Sequence, residues 1–421
     1  MDSAKRSDPL SVLQLALSTL CFFGCLAAAA LLMASAADPA GALLRSDSRL
    51  AVLTYAWAAG LMAVVMALSA WFAFRRVIGR PVHAGSSGGS FRLASICLLA
   101  WPLVILAGRA LTDSSLSQIW MPLLQILSLA IPFWWFYELG RRGLPSLSPQ
   151  RSAGLAAVGL TLTPALLILL ELVFGLIFLL VGMFSLAGSP DLALQLNELT
   201  TKLQSNPVDP AVFQDASRVL LGAPGVLFFL MVVVAGIIPV LEELVKPLGI
   251  WFTAGRPITP AMGWISGLIS GAAFGMVESL GVSANFSGSE WASVTIQRTG
   301  SGLLHITTCA LVGWGLACAW QQRNYLKLAL SFTTAVALHC LWNVFGVLMG
   351  IVPLLGADLN TPIAASSLLA KSAPVVLVLF TTGMIAILAL MNRMIRNEAE
   401  KDARDTVLSD EKFTSTQPPQ F

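Results

Sequence analysis

Apolar runs of about 20 residues, the length a helix needs to cross a bilayer, recur ten times along the 421-residue chain. Lipid offers no partner to a backbone N–H or C=O, so each run must satisfy its own polar groups as a helix or close into a barrel. A barrel would show short alternating strands in place of solid apolar blocks. The fold class is therefore all-α: a polytopic helical membrane protein. Composition agrees, with 56% hydrophobic and 11% charged residues, against roughly 25% charged in soluble proteins. A formal net charge of +3 gives no footprint for nucleic acid.

The runs cover 12–35, 50–74, 93–110, 118–137, 155–185, 224–250, 260–283, 299–320, 327–350 and 368–392. The fifth is over-long and contains Pro164, which predicts a tilt or kink. The first follows Lys5-Arg6 and ends at Ala34-Ser35-Ala36-Ala37, like a signal-peptidase site. It exceeds the roughly 7–15-residue core of a signal peptide, so it reads as an uncleaved span. With the N-terminus in the cytoplasm, eighteen Lys and Arg fall on inner segments and seven on outer ones. This asymmetry predicts both termini inside. The six cysteines all lie in apolar blocks without C-x-x-C spacing, and read as small core residues.

Five segments follow. Residues 1–186 form an N-terminal helical region whose role the sequence does not disclose. Residues 187–223 form a long outer loop with Asp191, Glu198, Asp209 and Asp215, whose Leu-x-x-Leu spacings suggest short surface helices. Residues 224–350 hold four successive spans with ionisable groups, and 351–396 the last span. The polar tail 397–421 predicts disorder.

Charges at membrane depth are expensive and usually serve a task inside the bundle. Glu242 and Glu243 interrupt an apolar run, and Lys246 follows at i+4 and i+3, spacings that allow pairing on a helix. Adjacent helical residues point about 100° apart, so the two acids face different directions. Glu278 comes one turn after Phe274, on a span where Gly263, Gly267, Gly271 and Gly275 repeat every fourth residue for close helix packing. His305 stands one turn after Ser301, with Arg298 a further turn back. His339 and Asn343 share a face at i,i+4, and two donors aimed at one point suit a developing oxyanion. Read alone, each has a bland structural counterpart: a buried ion pair, a packed glycine face, an interhelical hydrogen bond. Glu138 beside Arg141 reads as interfacial, and Glu171 is a lone acid within a span.

The order E-E-x-x-K, F-x-x-x-E, a span with Arg and His, then H-x-x-x-N resembles the PrsW family of intramembrane proteases, related to the CAAX prenyl endopeptidases. The resemblance covers roughly residues 235–346. Glu278 stands where the prenyl endopeptidases carry histidine, and Lys246 where an arginine would come one residue later. Both departures favour the PrsW branch over prenylated substrates. The resemblance implies Glu242 and Glu243 as catalytic acids, Glu278 and His305 as their partners, and His339 and Asn343 on the oxyanion side. Lys246, Phe274 and Arg298 would support them. It also implies a bacterial cell membrane and a membrane-bound protein substrate such as an anti-sigma factor.

The expected activity is hydrolysis of a peptide bond by a Glu/His-activated water. Two versions are open: a glutamate-only site, or zinc held among Glu243, Glu278, His305 and His339. No H-E-x-x-H selects between them. Rival readings are an ion- or proton-coupled transporter, or an inactive relative that binds membrane partners. Oligomeric state is not legible. One tension is geometric. If each span is a continuous helix, Glu242 lies toward the inner side and Glu278 and His305 toward the outer, about 10–20 Å apart in depth at 1.5 Å per residue. Pro239, Pro247 and the glycines would have to break or shift helices to bring them together.

Overall fold

The computed structural model describes residues 9–37, 46–82, 90–112, 114–187, 231–286, 288–355 and 364–415, with scattered positions between 194 and 228. Among the described residues all regular structure is helical, and nine helices are long and apolar enough to cross a membrane. They coincide with nine of the ten apolar runs. Twelve α-helices are labelled here: α1 (Pro9–Ala37), α2 (Ser46–Val77), α3 (Ser90–Leu111), α4 (Ser117–Arg141), α5 (Pro149–Leu160), α6 (Leu162–Ala187), α7 (Ile238–Val245), α8 (Leu248–Trp251), α9 (Pro260–Ser283), α10 (Trp291–Gln322), α11 (Tyr325–Leu355) and α12 (Ala364–Ser415). The chain packs as two compact units. The larger holds Met1–Leu162, Lys246–Phe332 and Gly383–Phe421; the smaller holds Thr163–Val245 and Thr333–Thr382.

In the larger unit, α10 is the axis: the window that qualifies it as a span is wholly buried. Its partner α9 lies against it backbone to backbone. A methyl group at Gly263, Gly267 or Gly271 would collide with the carbonyl of Gly313, Cys309 or His305 respectively. The four-residue glycine period thus does what small-residue faces do in membranes, where close van der Waals approach replaces the hydrophobic drive. Gly302 on α10 receives the ring of Phe133 from α4 in the same way. Thr259 caps α9, its Oγ1 accepting from the Met262 amide at 3.2 Å, with Pro260 in the first turn where its missing N–H costs nothing. Trp264 then donates Nε1–H to the Gly140 carbonyl at 2.7 Å, which ties α9 to the end of α4.

The fifth apolar run breaks at Thr161, three residues before the proline. Thr161 turns its Oγ1 back onto the Ala157 carbonyl at 2.8 Å, and Pro164 falls in the first turn of α6, where proline is tolerated. Glu138 accepts from Arg141 at 2.6 Å and from Trp134 at 3.3 Å, a local group at the end of α4. Helix α12 continues to Ser415, past Asn397 where composition predicted disorder. The segment Asn397–Lys401 is rich in good helix formers, and Arg396 faces Glu400 at 3.9 Å one turn on. The outer loop 187–223 lies almost wholly outside the described residues.

In the smaller unit, the run expected as one span over 224–250 is not a continuous helix over its described part. A π-turn at Val233–Ile237 leads into the short α7, which ends at Val245; Lys246 and Pro247 form a turn before the four residues of α8. Pro239 explains the wide turn. It has no N–H to donate, and its ring crowds the carbonyl one turn back, so the turn ahead takes in an extra residue.

Candidate functional site

In the smaller unit, α7 presents Glu242 and Glu243 to one ring of α11, that of His339. All three are buried, with Glu243 fully so. Glu243 Oε1 lies 2.8 Å from His339 Nδ1, and Glu242 Oε2 lies 3.8 Å from His339 Nε2. The angular offset between adjacent helical residues sends each acid to a different nitrogen. The short contact makes Nδ1 the protonated nitrogen donating to Glu243, which turns the Nε2 lone pair toward Glu242.

Asn343, one turn along α11, donates Nδ2–H to the Val234 carbonyl at 2.9 Å. That carbonyl has no helical donor. The Ile238 N–H goes to Val233, and the residue after it is Pro239, which has none. The amide of Asn343 therefore closes a gap that the proline opens. This carbonyl is a partner that sequence spacing did not reveal; the only signal was a proline five residues downstream.

In the larger unit, His305 sits midway along α10 and is held from every side. Lys246 Nζ is 3.0 Å from Nδ1. Glu278 Oε2 is 2.5 Å from Nε2, and Ser301 Oγ, one turn earlier, is 3.2 Å from the same nitrogen. Lysine only donates when protonated, so Nδ1 accepts and the ring's proton is on Nε2, facing the carboxylate. Phe274 meets the imidazole edge-on at 5.1 Å and lies 5.6 Å from the Lys246 ammonium. Gly275 leaves just enough room beside the ring, since a methyl there would come to 3.4 Å from it. Arg298 reaches back from α10 to pair with Glu278 Oε1 at 2.6 Å. Glu278 thus gives Oε1 to the guanidinium and lays Oε2 against the imidazole.

Lys246 reaches this cluster from a turn. Because the helix stops at Val245, Lys246 starts from a turn, and its long stem reaches the middle of α10. The structure brings Lys246, Phe274, Glu278, Arg298 and His305 together in the larger unit, and Glu242, Glu243 and His339 in the smaller. Asn343 shares the face of His339 but turns one N–H to the backbone.

The donor chemistry suits a metal. Carboxylates that pin one nitrogen of a histidine and leave the other exposed are the usual outer support of zinc-bound imidazoles. The 3.8 Å between His339 Nε2 and Glu242 Oε2 exceeds a hydrogen bond. It approaches the roughly 3.4 Å expected between two ligands of one tetrahedral zinc with bonds near 2.05 Å.

Comparison with known proteins gives a family match over part of the chain. No curated protein and no solved structure matches the chain. Residues 164–370, which include every candidate site residue, match the family described as PrsW family intramembrane metalloprotease. Over that stretch the chain is similar to the PrsW family, which is described as one of intramembrane metalloproteases.

Proposed function

We propose that the chain is an intramembrane endopeptidase that hydrolyses a peptide bond of a membrane-bound protein, and that Glu242, Glu243, Glu278, His305, His339 and Asn343 carry the reaction. The observation behind this is the His339 ring, gripped at Nδ1 by one buried glutamate with a second glutamate facing Nε2. Two adjacent acids converging on one buried imidazole have no packing rationale, and burying them costs several kcal/mol unless they are paired.

The His305 cluster joins the same reaction on this reading. Glu243 and Lys246 are three residues apart, so their Cα atoms are at most about 11 Å apart whatever the chain does. Lys246 is hydrogen-bonded to His305.

Glu242 and His339, both buried in the smaller unit, are the donors proposed to hold zinc, one carboxylate and one imidazole. The metal, when bound, would lower the pKa of a water and polarise the scissile carbonyl. The residues do the rest. Glu243 and Glu278 fix the tautomers of His339 and His305. Glu242, through the carboxylate oxygen it does not give to the metal, takes the proton from the attacking water as oxygen bonds to the carbonyl carbon, and passes it to the amine nitrogen as the C–N bond breaks. The second N–H of Asn343 offers itself to the oxyanion.

The test is cleavage of a single-span substrate panel in proteoliposomes by wild type, Glu242→Gln and Glu243→Gln. Loss of processing in both variants is expected. Processing at the wild-type rate by either would remove the acid pair from the mechanism.

A further inference from the structure

The start of α3 joins a charge to an exposed apolar line. Ile96, Leu99, Leu103 and Leu106 follow one another at helical spacing and are 64%, 82%, 66% and 61% exposed. They run along one side of a helix long and apolar enough to cross a membrane. Arg92 lies one turn before Ile96, so it heads the same line, and it is exposed as well. Helical side chains lean toward the N-terminus. The long stem of Arg92 therefore carries its guanidinium back past the start of the span, to the depth of lipid headgroups.

A second arginine meets it there. Arg142, the C-cap of α4, lies over the ring of Phe91, with Cζ 4.7 Å from the ring centre. Phe91 in turn packs on Trp135 of α4, ring centres 6.3 Å apart, and Arg141 donates Nη2–H to Ser90 Oγ at 2.8 Å. These contacts fix the end of α4 against the start of α3, and they set the Arg142 guanidinium on the residue next to Arg92. Stacking occupies one face of that guanidinium. Its N–H donors lie around the edge, and Arg142 is exposed. Glu138, the acid at this end of α4, is taken by Arg141 at 2.6 Å. Among the described residues neither Arg92 nor Arg142 has an ion pair.

We propose that Arg92 and Arg142 hold the phosphate of an anionic phospholipid whose acyl chains lie along Ile96, Leu99, Leu103 and Leu106. The planar fork of arginine presents parallel N–H donors that match two phosphate oxygens. Basic groups at the end of a span are drawn to anionic headgroups, and aromatic rings such as Phe91 and Trp135 suit the same depth. The apolar line selects a lipid over a free anion, because a soluble phosphate has nothing to lay on it.

The test does not rest on the protease reading. The full chain in detergent micelles is titrated with phosphatidylglycerol, with phosphatidylcholine of the same acyl chains, or with inorganic phosphate, and thermal unfolding is followed. A ligand bound only by the folded state raises Tm as its concentration rises. Phosphatidylglycerol should raise Tm at concentrations where the other two leave it unchanged. One arginine beside an anionic headgroup strengthens binding about fivefold, so Arg92→Gln and Arg142→Gln should each move the midpoint of the titration up by about that factor. Arg109→Gln makes the same change in charge at the opposite end of α3, also at an exposed residue, and should leave the midpoint in place. Should one site variant fail to fold, the other decides. An equal rise with phosphatidylcholine would reduce the face to bulk lipid contact, and an equal rise with inorganic phosphate would give the arginines to a free anion. Either result, or a midpoint unmoved in both site variants, would overturn the proposal.

Discussion

Glu243 Oε1 and His339 Nδ1 are 2.8 Å apart, and both residues are buried. The contact assigns different tasks to two neighbouring acids that look alike in sequence. Glu243 acts on the ring from behind, while Glu242 faces the nitrogen that the ring presents. Replacing a carboxylate that supports a ligand histidine typically costs 10–100-fold. Glu243→Gln is accordingly expected to lose about 10–100-fold in turnover, while Glu242→Gln falls to background. Matched losses in a quantitative cleavage assay would deny the division of labour.

Metal content gives a second check that needs no substrate. Wild-type protein should purify with about one zinc per chain, the number one catalytic site holds. Stripping it with a chelator should lower Tm, because a ligand of the folded state stabilises by mass action. His339→Ala should purify without zinc. Elemental analysis of both proteins decides, and wild-type protein free of zinc yet fully active would assign the chemistry to the glutamates alone.

Asn343 should affect folding as well as rate. Asn343→Ala leaves the Val234 carbonyl without its donor, a loss of about 1–3 kcal/mol for a buried acceptor. A side chain serving only the oxyanion would leave Tm unchanged while cutting turnover by about 100–1,000-fold. Thermal unfolding beside the cleavage assay separates the two tasks, and an unaltered Tm would show that the link to the π-turn contributes nothing.

The glycine face of α9 yields a prediction with its own control. Gly271→Ala drives a methyl into the His305 carbonyl, where neither backbone can retreat. Overpacking of this kind typically costs 1–3 kcal/mol, so about 2 kcal/mol or more is expected here. Gly281→Ala, on the same helix with nothing within 4 Å of the added carbon, should be neutral or slightly stabilising. Denaturation of the two variants side by side measures the contrast, and equal stability would mean that α9 and α10 do not pack backbone to backbone.

Much of this fold was legible because a bilayer forces the sequence to declare itself. Length and hydropathy alone locate α1 to α4 and α9 to α11, and the four-residue glycine period foretells the tight α9–α10 contact. The motif residues also stand out, since a charge among Leu, Val and Gly needs a reason. What could not be read is where helices stop. Hydropathy does not distinguish a continuous span from one interrupted at Val233–Ile237 and again at Lys246-Pro247, because both are equally apolar. The turn at Lys246-Pro247 is what frees Lys246 to reach His305. Nor could spacing say which glutamate takes which nitrogen of His339, since that depends on how α7 is rotated about its axis.

That rotation has a source in the π-turn. One surplus residue between Val233 and Ile237 sets the angle of everything after it. Replacing Pro239 so that ordinary winding returns with no residue lost would swing Glu242 and Glu243 about 100° around the axis. The smallest edit that disarms this protein need not touch a charged side chain at all.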